Sequence, residues 1–370
     1  MGCTTSVPDG ASETPEERKL RIDFPDMGYG GDFEKEYKLT SVLGSGAFST
    51  VRQGVRHQTG EKYAVKCVTK SELSSEDKEA LLDEIDILKA MDHPGIIKLY
   101  DHFDEEKYHY LVLEAMDGGE LFDRIVAKKF YNEFEARECI RSILSALSYI
   151  HHGKIAHRDL KPENLLLATL TNDNDVKIAD FGFAKKCSTQ NCLKTQCGTP
   201  GYVAPEILEG REYDYAADMW SIGVIMYIII GGYPPFYEDN QNLLFKKIKR
   251  GDYEFHPEFW NDISTDAKDL ISKCITVDPN KRISCADAVT HPWMGRDKRI
   301  LSSQDLAKNL QQFKRFNAKR KFKAGVKTVM AHNRMKNLME GLRAAADEEN
   351  GKTKAGAGDG PPEYAPPPSY

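Results

Sequence analysis

The chain has 370 residues, a formal net charge of −6 and a pI near 6.0. A chain of this length exceeds the size at which one hydrophobic core keeps growing, so we expect two packed lobes with flexible ends. The mild acidity argues against a general nucleic-acid binder. No apolar run reaches the roughly 18 residues that a spanning helix needs, and the N-terminus lacks the regions of a secretory signal.

The eight cysteines contain no Cys-x-x-Cys pair and no spacing typical of zinc sites or disulfide frameworks. This pattern favours a reducing, intracellular setting, so we expect a cytoplasmic protein.

Residues 1–34 are rich in Gly, Pro, Asp and Glu and predict a flexible arm. Its start, Met1-Gly2-Cys3-Thr4-Thr5-Ser6, fits M-G-x-x-x-[ST], which permits myristoylation of Gly2 and palmitoylation of Cys3. Because one acyl chain binds a membrane only marginally, attachment would need both lipids.

The next segments alternate or run apolar, with β-branched residues, and predict an antiparallel meander. Residues 76–91 carry apolar side chains at helical spacing and end before His93-Pro94, which predicts a helix. The expected strands are 37–43, 50–55, 62–68, around 97–103 and around 108–113.

After Gly118-Gly119 the pattern changes to long helical stretches, notably 133–152 and 215–230. We therefore expect an α+β protein in which a small sheet lobe precedes a larger helical lobe.

A glycine-rich loop lies between the first two predicted strands. Glycines there let backbone amides approach phosphates without a Cβ in the way, although a plain hairpin turn is an alternative. Lys66 in the third strand and Glu84 in the following helix can form an ion pair. The loop reads Gly44-Ser45-Gly46-Ala47-Phe48-Ser49-Thr50-Val51, with Ser49 in the slot of a third glycine.

Two short strings carry groups suited to phosphoryl transfer. They are His157-Arg158-Asp159-Leu160-Lys161-Pro162-Glu163-Asn164 and Asp180-Phe181-Gly182. Asp159 can take a hydroxyl proton and Lys161 can steady the moving phosphoryl group. Asn164 and Asp180 offer hard oxygen ligands for Mg²⁺.

The order of these motifs, completed by Ala204-Pro205-Glu206 and Asp218, resembles the eukaryotic protein kinases over residues 37–294. The resemblance implies the bilobal kinase fold with ATP held between the lobes. The N-lobe, 37–116, would contain a small antiparallel sheet plus one helix, and the C-lobe, 117–294, would be mainly helical.

The resemblance also implies roles for single residues. Lys66, positioned by Glu84, would contact the α and β phosphates, and Asp159 would orient the substrate hydroxyl. Lys161 and the Gly198-Thr199-Pro200 segment resemble those of serine/threonine kinases, so the acceptor would be Ser or Thr. The nucleotide positions would be Leu43, Gly44, Ser45, Gly46, Ala47, Phe48, Ser49, Val51, Ala64, Lys66, Glu114, Met116, Glu120 and Leu166, with Asn164 and Asp180 holding Mg²⁺.

Arg158 directly precedes the catalytic aspartate, which usually marks kinases controlled by an activation-loop phosphate. Thr195 is the natural site for an upstream activating kinase, and Thr189 and Ser188 are weaker candidates. Glu120 and Glu163 match acidic positions that attract arginine in a substrate, or they are inert surface glutamates.

The segment 313–343 carries ten Lys or Arg against the single acid Glu340, with apolar side chains interleaved. Such a basic amphipathic helix is typical of calmodulin targets, although a solvated tail helix and a nucleic-acid patch are alternatives. The proposed anchors are Phe322, Val326, Val329 and Met335. No EF-hand loop occurs, so the chain should not bind Ca²⁺ itself.

Residues 316–323 and 118–124 resemble the calcium/calmodulin-dependent protein kinases, type I group best. The resemblance implies a monomer in which 295–343 is an autoinhibitory and calmodulin-binding segment, with about 296–320 over the substrate groove. Asn309 stands where the type II group has its autophosphorylated threonine. Another calmodulin-regulated kinase, such as a death-associated or phosphorylase-kinase-like relative, or a recruitment scaffold with little activity, are the alternatives.

The end of the chain, 344–370, is rich in Gly, Ala and Pro and predicts a disordered tail. It contains P-P-x-Y twice, ending at Tyr364 and Tyr370, which fits WW-domain grooves or a plain spacer.

Overall fold

The computed structural model describes residues 32–46, 48–128, 131–187, 189 and 191–325. The chain divides into two units, Met1–Lys314 and Arg315–Tyr370. The second is described only over 315–325, which is helical. The predictions for Gly2, Cys3, Ala47, Val326, Val329, Met335 and the proline-rich tail fall outside the described residues.

The N-terminal lobe is a five-stranded antiparallel sheet in the order β1-β2-β3-β5-β4. Its elements are α1 (Phe33–Glu36), β1 (Tyr37–Ser45), β2 (Ser49–Arg56), β3 (Lys62–Thr69), a 3-10 turn (Lys70–Glu72), α2 (Ser75–Ala90), β4 (Leu99–Asp104) and β5 (Tyr108–Leu113).

Helix α2 begins one residue before the predicted bound because Ser74 caps it. The Ser74 hydroxyl accepts from the Asp77 N–H, and the Asp77 carboxylate accepts from the Ser74 N–H. Leu81, Ile85 and Leu88 form its buried face, which also brings Glu84 to the inside of the lobe.

Residues before Tyr37 already belong to the N-terminal lobe, whereas the sequence predicts a flexible arm up to residue 34. Phe33 is buried, with its ring 4.2 Å from that of Tyr110 and 5.4 Å from that of Phe103. Its N–H donates to Glu105 at 2.7 Å. The polar composition of the arm hid this one anchoring side chain.

The C-terminal lobe is mainly helical, with short strands in the sheets β6-β8-β9 and β7-β10. Its elements are β6 (Gly119–Glu120), α3 (Leu121–Ala127), α4 (Glu133–His152), β7 (Ile155–Ala156), a 3-10 turn (Pro162–Asn164), β8 (Leu165–Leu167), β9 (Val176–Ile178), β10 (Lys185–Lys186), α5 (Pro205–Leu208), α6 (Ala216–Gly231), α7 (Gln241–Arg250), α8 (Pro257–Trp260), α9 (Thr265–Cys274), α10 (Cys285–Val289), α11 (Pro292–Gly295) and α12 (Lys298–Ser303). The α+β class and the two-lobe arrangement predicted from the sequence are confirmed.

Helix α6 is the centre of this lobe. It is apolar on all sides, and every residue from Ala217 to Gly231 is buried, as expected for a helix surrounded by protein. Beside it, Arg282 and Glu206 form an ion pair at 2.7 Å whose side chains are 0% and 1% exposed. The pair joins the chain after α9 to α5.

One pair of cysteines forms a disulfide although the cysteine spacing is not typical of disulfide frameworks. Cys187 and Cys192 are joined by a disulfide. The remaining described cysteines are free. Among the described residues, no helix combines the length and apolar composition needed to cross a membrane.

Candidate active site

Lys66 and Glu84 meet inside the N-terminal lobe. The Lys66 Nζ lies 2.7 and 2.8 Å from the two carboxylate oxygens of Glu84. Burial acts to lower the pKa of Lys66, but the charges of Glu84 and Asp180 outweigh it and raise the pKa above its usual value. The lysine is therefore a fixed cation, and Asp180 lies close enough to contribute.

Asp159 lies at the centre of the catalytic loop, which we define as residues 157–164. The Thr199 hydroxyl donates to its Oδ1 at 2.8 Å, and the Lys161 ammonium contacts its Oδ2. Asn164 Nδ2 donates to its backbone carbonyl at 2.9 Å. The carboxylate is 3% exposed and oriented from two sides, as a general base needs to be.

Asp218, on α6, accepts hydrogen bonds from the backbone of the catalytic loop. Its carboxylate accepts the backbone N–H groups of His157 at 2.9 Å and Arg158 at 2.8 Å. His151 Nε2 lies 2.9 Å from the same carboxylate. Burial acts to raise the pKa of Asp218, but these partners outweigh it and lower the pKa. Asp218 is therefore the anchor that carries the loop to the central helix.

The backbone is strained at two of these positions. Arg158 has φ +69° and Asp180 has φ +61°, in the left-handed region that side-chain-bearing residues rarely adopt. The hydrogen bonds that the His157 and Arg158 N–H groups donate to Asp218 stabilise the first of these conformations.

His157 is a packing residue. It is 0% exposed, its Nε2 lies 3.2 Å from the Ala179 carbonyl, and its ring meets that of Phe181 edge-on at 4.9 Å. These contacts join the catalytic loop to the segment that carries Asp180.

Asn164 and Asp180 are the predicted ligands of a cation. Asn164 uses its amide nitrogen on the loop, which leaves its Oδ1 to act as the metal ligand beside the Asp180 carboxylate. Within the described part of the chain, no group of three or more His, Cys, Asp or Glu residues could hold a metal ion. This set suits Mg²⁺, which takes few protein oxygens together with substrate phosphates.

The glycine-rich loop joins β1 to β2. The Gly46 N–H donates to the Ser49 carbonyl at 2.7 Å and closes the turn. The side chains of Leu43 and Phe48 are exposed. Val51 lies opposite Lys66 across β2 and β3, so the loop opens next to the fixed cation.

The other predicted nucleotide positions lie on β3, where Ala64 is found, after β5, and on β6 and β8. Glu114 and Met116 follow β5, and Glu120 on β6 pairs with Leu166 on β8. The Glu114 N–H donates to the Lys98 carbonyl at 2.9 Å, so this N–H is already used within the protein. The Glu114 carboxylate is occupied by Lys177 at 3.0 Å.

Comparison with known proteins agrees with this geometry. Residues 37–294 match the family described as Protein kinase domain. The chain belongs to the protein kinase family. It is 40% identical over 338 residues to the protein named calcium/calmodulin-dependent protein kinase type II subunit delta from Oryctolagus cuniculus. The match covers 91% of this kinase and 63% of that relative, so this chain spans less than two thirds of the relative's length.

The activation loop of this kinase, which we define as residues 180–206, carries Thr195 on its exposed side. Arg158 donates to the Phe183 carbonyl through Nε and to the Tyr213 hydroxyl at 3.3 Å through Nη1. The Tyr213 hydroxyl donates in turn to the Thr195 carbonyl at 2.7 Å. Arg158 and Thr195 are thus connected through one tyrosine.

Tyr213 is a contact residue of the activation loop that the sequence did not reveal. It is 2% exposed, and its backbone exchanges hydrogen bonds with Leu193 at 2.9 and 3.0 Å. Burial raises the pKa of Tyr213, so the hydroxyl stays protonated and remains a donor. Nothing in the sequence distinguishes it from the other tyrosines, and only its contacts reveal its role.

Gly198 is required by its backbone conformation, with φ +107°. A Cβ at this position would also lie 3.1 Å from the Arg158 carbonyl. The glycine therefore allows the loop to pass close to the catalytic loop, where Thr199 reaches Asp159.

Residues 298–314 pack against the C-terminal lobe. The Leu306 N–H donates to the Tyr131 carbonyl at 3.0 Å, and the ring of Phe313 lies 4.9 Å from that of Phe122 on α3. The Asn309 side chain donates to the carbonyls of Ile230 at 2.8 Å and Phe259 at 2.9 Å. Leu301, Leu306, Leu310 and Phe313 are all buried.

These contacts have two consequences for the predicted site. Phe313 rests on the helix that directly follows Glu120, one of the predicted arginine-recognition residues, whereas Glu163 is exposed in the catalytic loop. The predicted calmodulin anchor Phe322 is 73% exposed, in contrast to the buried Phe313.

Proposed function

We propose that this protein is an ATP-dependent serine/threonine protein kinase that its C-terminal segment inhibits and Ca²⁺/calmodulin activates. The observation that carries the catalytic part is the shared contact of Lys161 and Thr199 with Asp159. A carboxylate held this way can accept a proton from an aliphatic hydroxyl placed beside Lys161.

Each of the chain's own groups has a definite task in this reaction. Lys66 holds the nucleotide phosphates, and Glu84 fixes the lysine at 2.7 Å. Asp159 receives the hydroxyl proton, and Lys161 balances charge that develops on the transferred group. When bound by Asn164 and Asp180, Mg²⁺ supplies neutralisation of the phosphate oxygens.

The inhibitory part rests on the docking of residues 298–314. Four buried apolar side chains hold this segment on the lobe beside α3. Calmodulin binding to the predicted basic helix within 313–343 would displace residues 298–314 from the lobe. The name of the rabbit relative, a calcium/calmodulin-dependent kinase, supports this reading.

The direct test measures phosphorylation of an arginine-containing serine peptide with and without Ca²⁺/calmodulin. The parent protein should be active only with calmodulin, and Asp180→Ala should be inactive under both conditions. Asp262→Ala, which changes an exposed aspartate between α8 and α9, is the matched control and should behave as the parent. A parent protein that binds calmodulin but transfers no phosphate would support the scaffold alternative instead.

A pair of phenylalanine substitutions tests the inhibitory segment. Phe313→Ala removes a buried docking ring and should raise activity without calmodulin. Phe322→Ala removes an exposed predicted anchor and should weaken activation by calmodulin while leaving calmodulin-free activity low. A truncation ending at Arg296 should be active without calmodulin. If both Phe313→Ala and the truncation remain calmodulin-dependent, the segment is not the inhibitor.

Substrate choice follows from the acidic positions Glu120 and Glu163. We propose Arg-x-x-Ser/Thr as the preferred site, because paired carboxylates bind a guanidinium well. A peptide array should show arginine three residues before the acceptor, and Glu120→Gln should weaken that preference. An array with no such preference refutes it.

The ends of the chain are assigned on sequence alone. We propose that the kinase is a cytoplasmic monomer, attached to membranes when Gly2 and Cys3 are both acylated. Metabolic labelling of the parent and Gly2→Ala tests the lipid. Binding to a panel of WW domains, lost on changing Tyr364 and Tyr370, tests the tail.

A further inference from the structure

The disulfide between Cys187 and Cys192 lies within the activation loop. The two residues are five positions apart, and their Cα atoms are separated by 5.7 Å. This separation lies in the range in which a disulfide forms without backbone movement. The loop is therefore shaped so that the two sulfurs meet.

Each cysteine is attached to a different fixed part of the C-terminal lobe. The Cys187 N–H donates to the Lys154 carbonyl at 2.6 Å, directly after β10 pairs with β7. Strand β7 ends at Ala156, and the catalytic loop begins at the next residue. Cys192 precedes Leu193, whose backbone is paired with Tyr213.

The disulfide thus links the chain that enters the catalytic loop to Tyr213, whose hydroxyl contacts Thr195. The Tyr213 hydroxyl donates to the Thr195 carbonyl at 2.7 Å and receives a hydrogen bond from Arg158. In the same arrangement Thr199 reaches Asp159 and Lys66 reaches Glu84. The disulfide is therefore compatible with an assembled catalytic site.

The two cysteines differ in their accessibility. Their sequence neighbours Lys185 and Lys194 form ion pairs with Asp83 at 2.9 Å and with Glu212 at 2.7 Å, so the case for oxidation rests on the position of the two sulfurs. The thiolate is the form of a cysteine that reacts with an oxidant. Cys187 is buried, whereas Cys192 is half-buried and more accessible to an oxidant.

We propose that Cys187 and Cys192 form a reversible oxidation site whose disulfide holds the activation loop in its ordered arrangement when Thr195 carries no phosphate. A disulfide across a short loop removes alternative conformations of that loop, so the ordered one gains population. The proposal adds a second, phosphate-independent means of ordering the loop. Its functional readout rests on the proposed kinase activity.

The chemistry balances with a peroxide as the two-electron oxidant. The Cys192 thiolate attacks one peroxide oxygen, the O–O bond breaks, and Cys192 becomes a sulfenic acid while the hydroxide that leaves is protonated to water. The Cys187 thiolate then attacks the Cys192 sulfur, the S–S bond forms, and hydroxide leaves and is protonated to a second water. A small dithiol reverses the step by exchange, and it is oxidised to its own disulfide.

The covalent part is tested on the full-length protein by mass spectrometry. Trypsin cleavage after Lys186 and Lys194 places both cysteines in one peptide, 187–194. Hydrogen peroxide should lighten this peptide by two hydrogen atoms, and dithiothreitol should restore its mass. Cys197→Ser should keep the change, and Cys187→Ser should abolish it. A peptide that never loses the two hydrogens overturns the proposal.

The conformational part is measured without kinase activity. Limited trypsin cleavage at Lys194, whose side chain is 77% exposed, should be slower in the oxidised parent than in the reduced parent. The double variant Cys187→Ser/Cys192→Ser should be cleaved at one rate under both conditions. Equal rates for the two forms of the parent would contradict ordering by the disulfide.

The functional part uses Thr195→Ala protein, in which phosphate cannot order the loop at this position. Its oxidised form should phosphorylate a serine peptide several-fold faster than its reduced form at one fixed calmodulin concentration. The difference should vanish in the cysteine double variant. Equal turnover of the oxidised and reduced Thr195→Ala protein overturns the regulatory claim. A parent protein without activity under every condition refutes the proposed function instead. The mass and cleavage tests then decide the proposal for the disulfide.

Discussion

The carboxylate of Asp218 accepts the backbone N–H of Arg158 at 2.8 Å, and this bond holds Arg158 at φ +69°. The residue after Arg158 is Asp159, so a contact from the central helix decides where the proposed base points. The same carboxylate accepts the His157 N–H, which makes the anchor bidentate.

We expect Asp218→Asn to lower kcat by about 10²-fold, because small displacements of a reacting group have effects of this size. An amide offers one acceptor oxygen in place of two, and its NH₂ would face a backbone donor. Steady-state rates and thermal unfolding measure the effect, with Asp262→Asn as control. An unchanged kcat would show that the anchor has no part in positioning Asp159.

Glu206→Gln should destabilise the kinase by about 3 kcal/mol, because it leaves the buried Arg282 guanidinium without a counter-charge. The pair lies at 2.7 Å with both side chains inaccessible to solvent. Urea unfolding measures the free energy of unfolding.

The matched control for this prediction is the partly exposed ion pair of Lys247 and Glu238, at 2.8 Å. Glu238→Gln should change the free energy of unfolding by less than about 1 kcal/mol. Equal effects of the two substitutions would show that burial does not set the value of the Glu206 pair.

Acid should weaken the N-terminal lobe through His102. Burial first, then the nearby cations Lys89 and Lys70 and the ring of His109, lower the pKa of His102 to about 4, while Asp104 acts to raise it. The unfolded chain, with a histidine pKa near 6.5, binds the proton more readily. The free energy of unfolding should therefore decrease as the pH falls from 6.5 towards 4.

His102→Gln removes this titration and should reduce the slope of stability against pH in that window. Urea unfolding of the parent and the variant at pH 7.5 and pH 5 makes the comparison. Parallel slopes would assign the acid sensitivity to other groups.

Thr195→Ala should abolish activation by an upstream kinase without unfolding the protein. The substitution keeps the Thr195 carbonyl that accepts from Tyr213, so the unphosphorylated loop retains its contact. Thr189→Ala changes another exposed threonine of the same loop and serves as control. Activity should be compared before and after treatment with the upstream kinase, and full activation of Thr195→Ala would move the regulatory site elsewhere.

The sequence alone was sufficient for the motifs whose chemistry depends on residue type and spacing. Lys66 in a strand and Glu84 on the inner face of the next helix could be paired in advance, because strand and helix periodicity state which side chains face inward. The capped helix α4 lies at 133–152, as its apolar period predicts. The α+β class followed from the change of pattern at Gly118-Gly119.

Periodicity could not predict contacts between residues that lack a local signal. Phe33 lies in a polar segment. Its ring packs against Tyr110 on β5 and Phe103 on β4, which are far from it along the chain. Asn309 looks like one of several polar residues between 302 and 312, yet it donates to two carbonyls of the C-terminal lobe.

The sequence by itself thus determined the reaction type, since Asp159, Lys161, Asn164 and Asp180 are defined by their order and chemistry. Only the tertiary structure decided how these groups are held. The contacts of Asp218 and Tyr213 join segments that are well separated along the chain. The Cys187–Cys192 bond depends on a segment that turns back on itself. Such contacts follow from the packing of whole helices around α6, and no local pattern of residues encodes them.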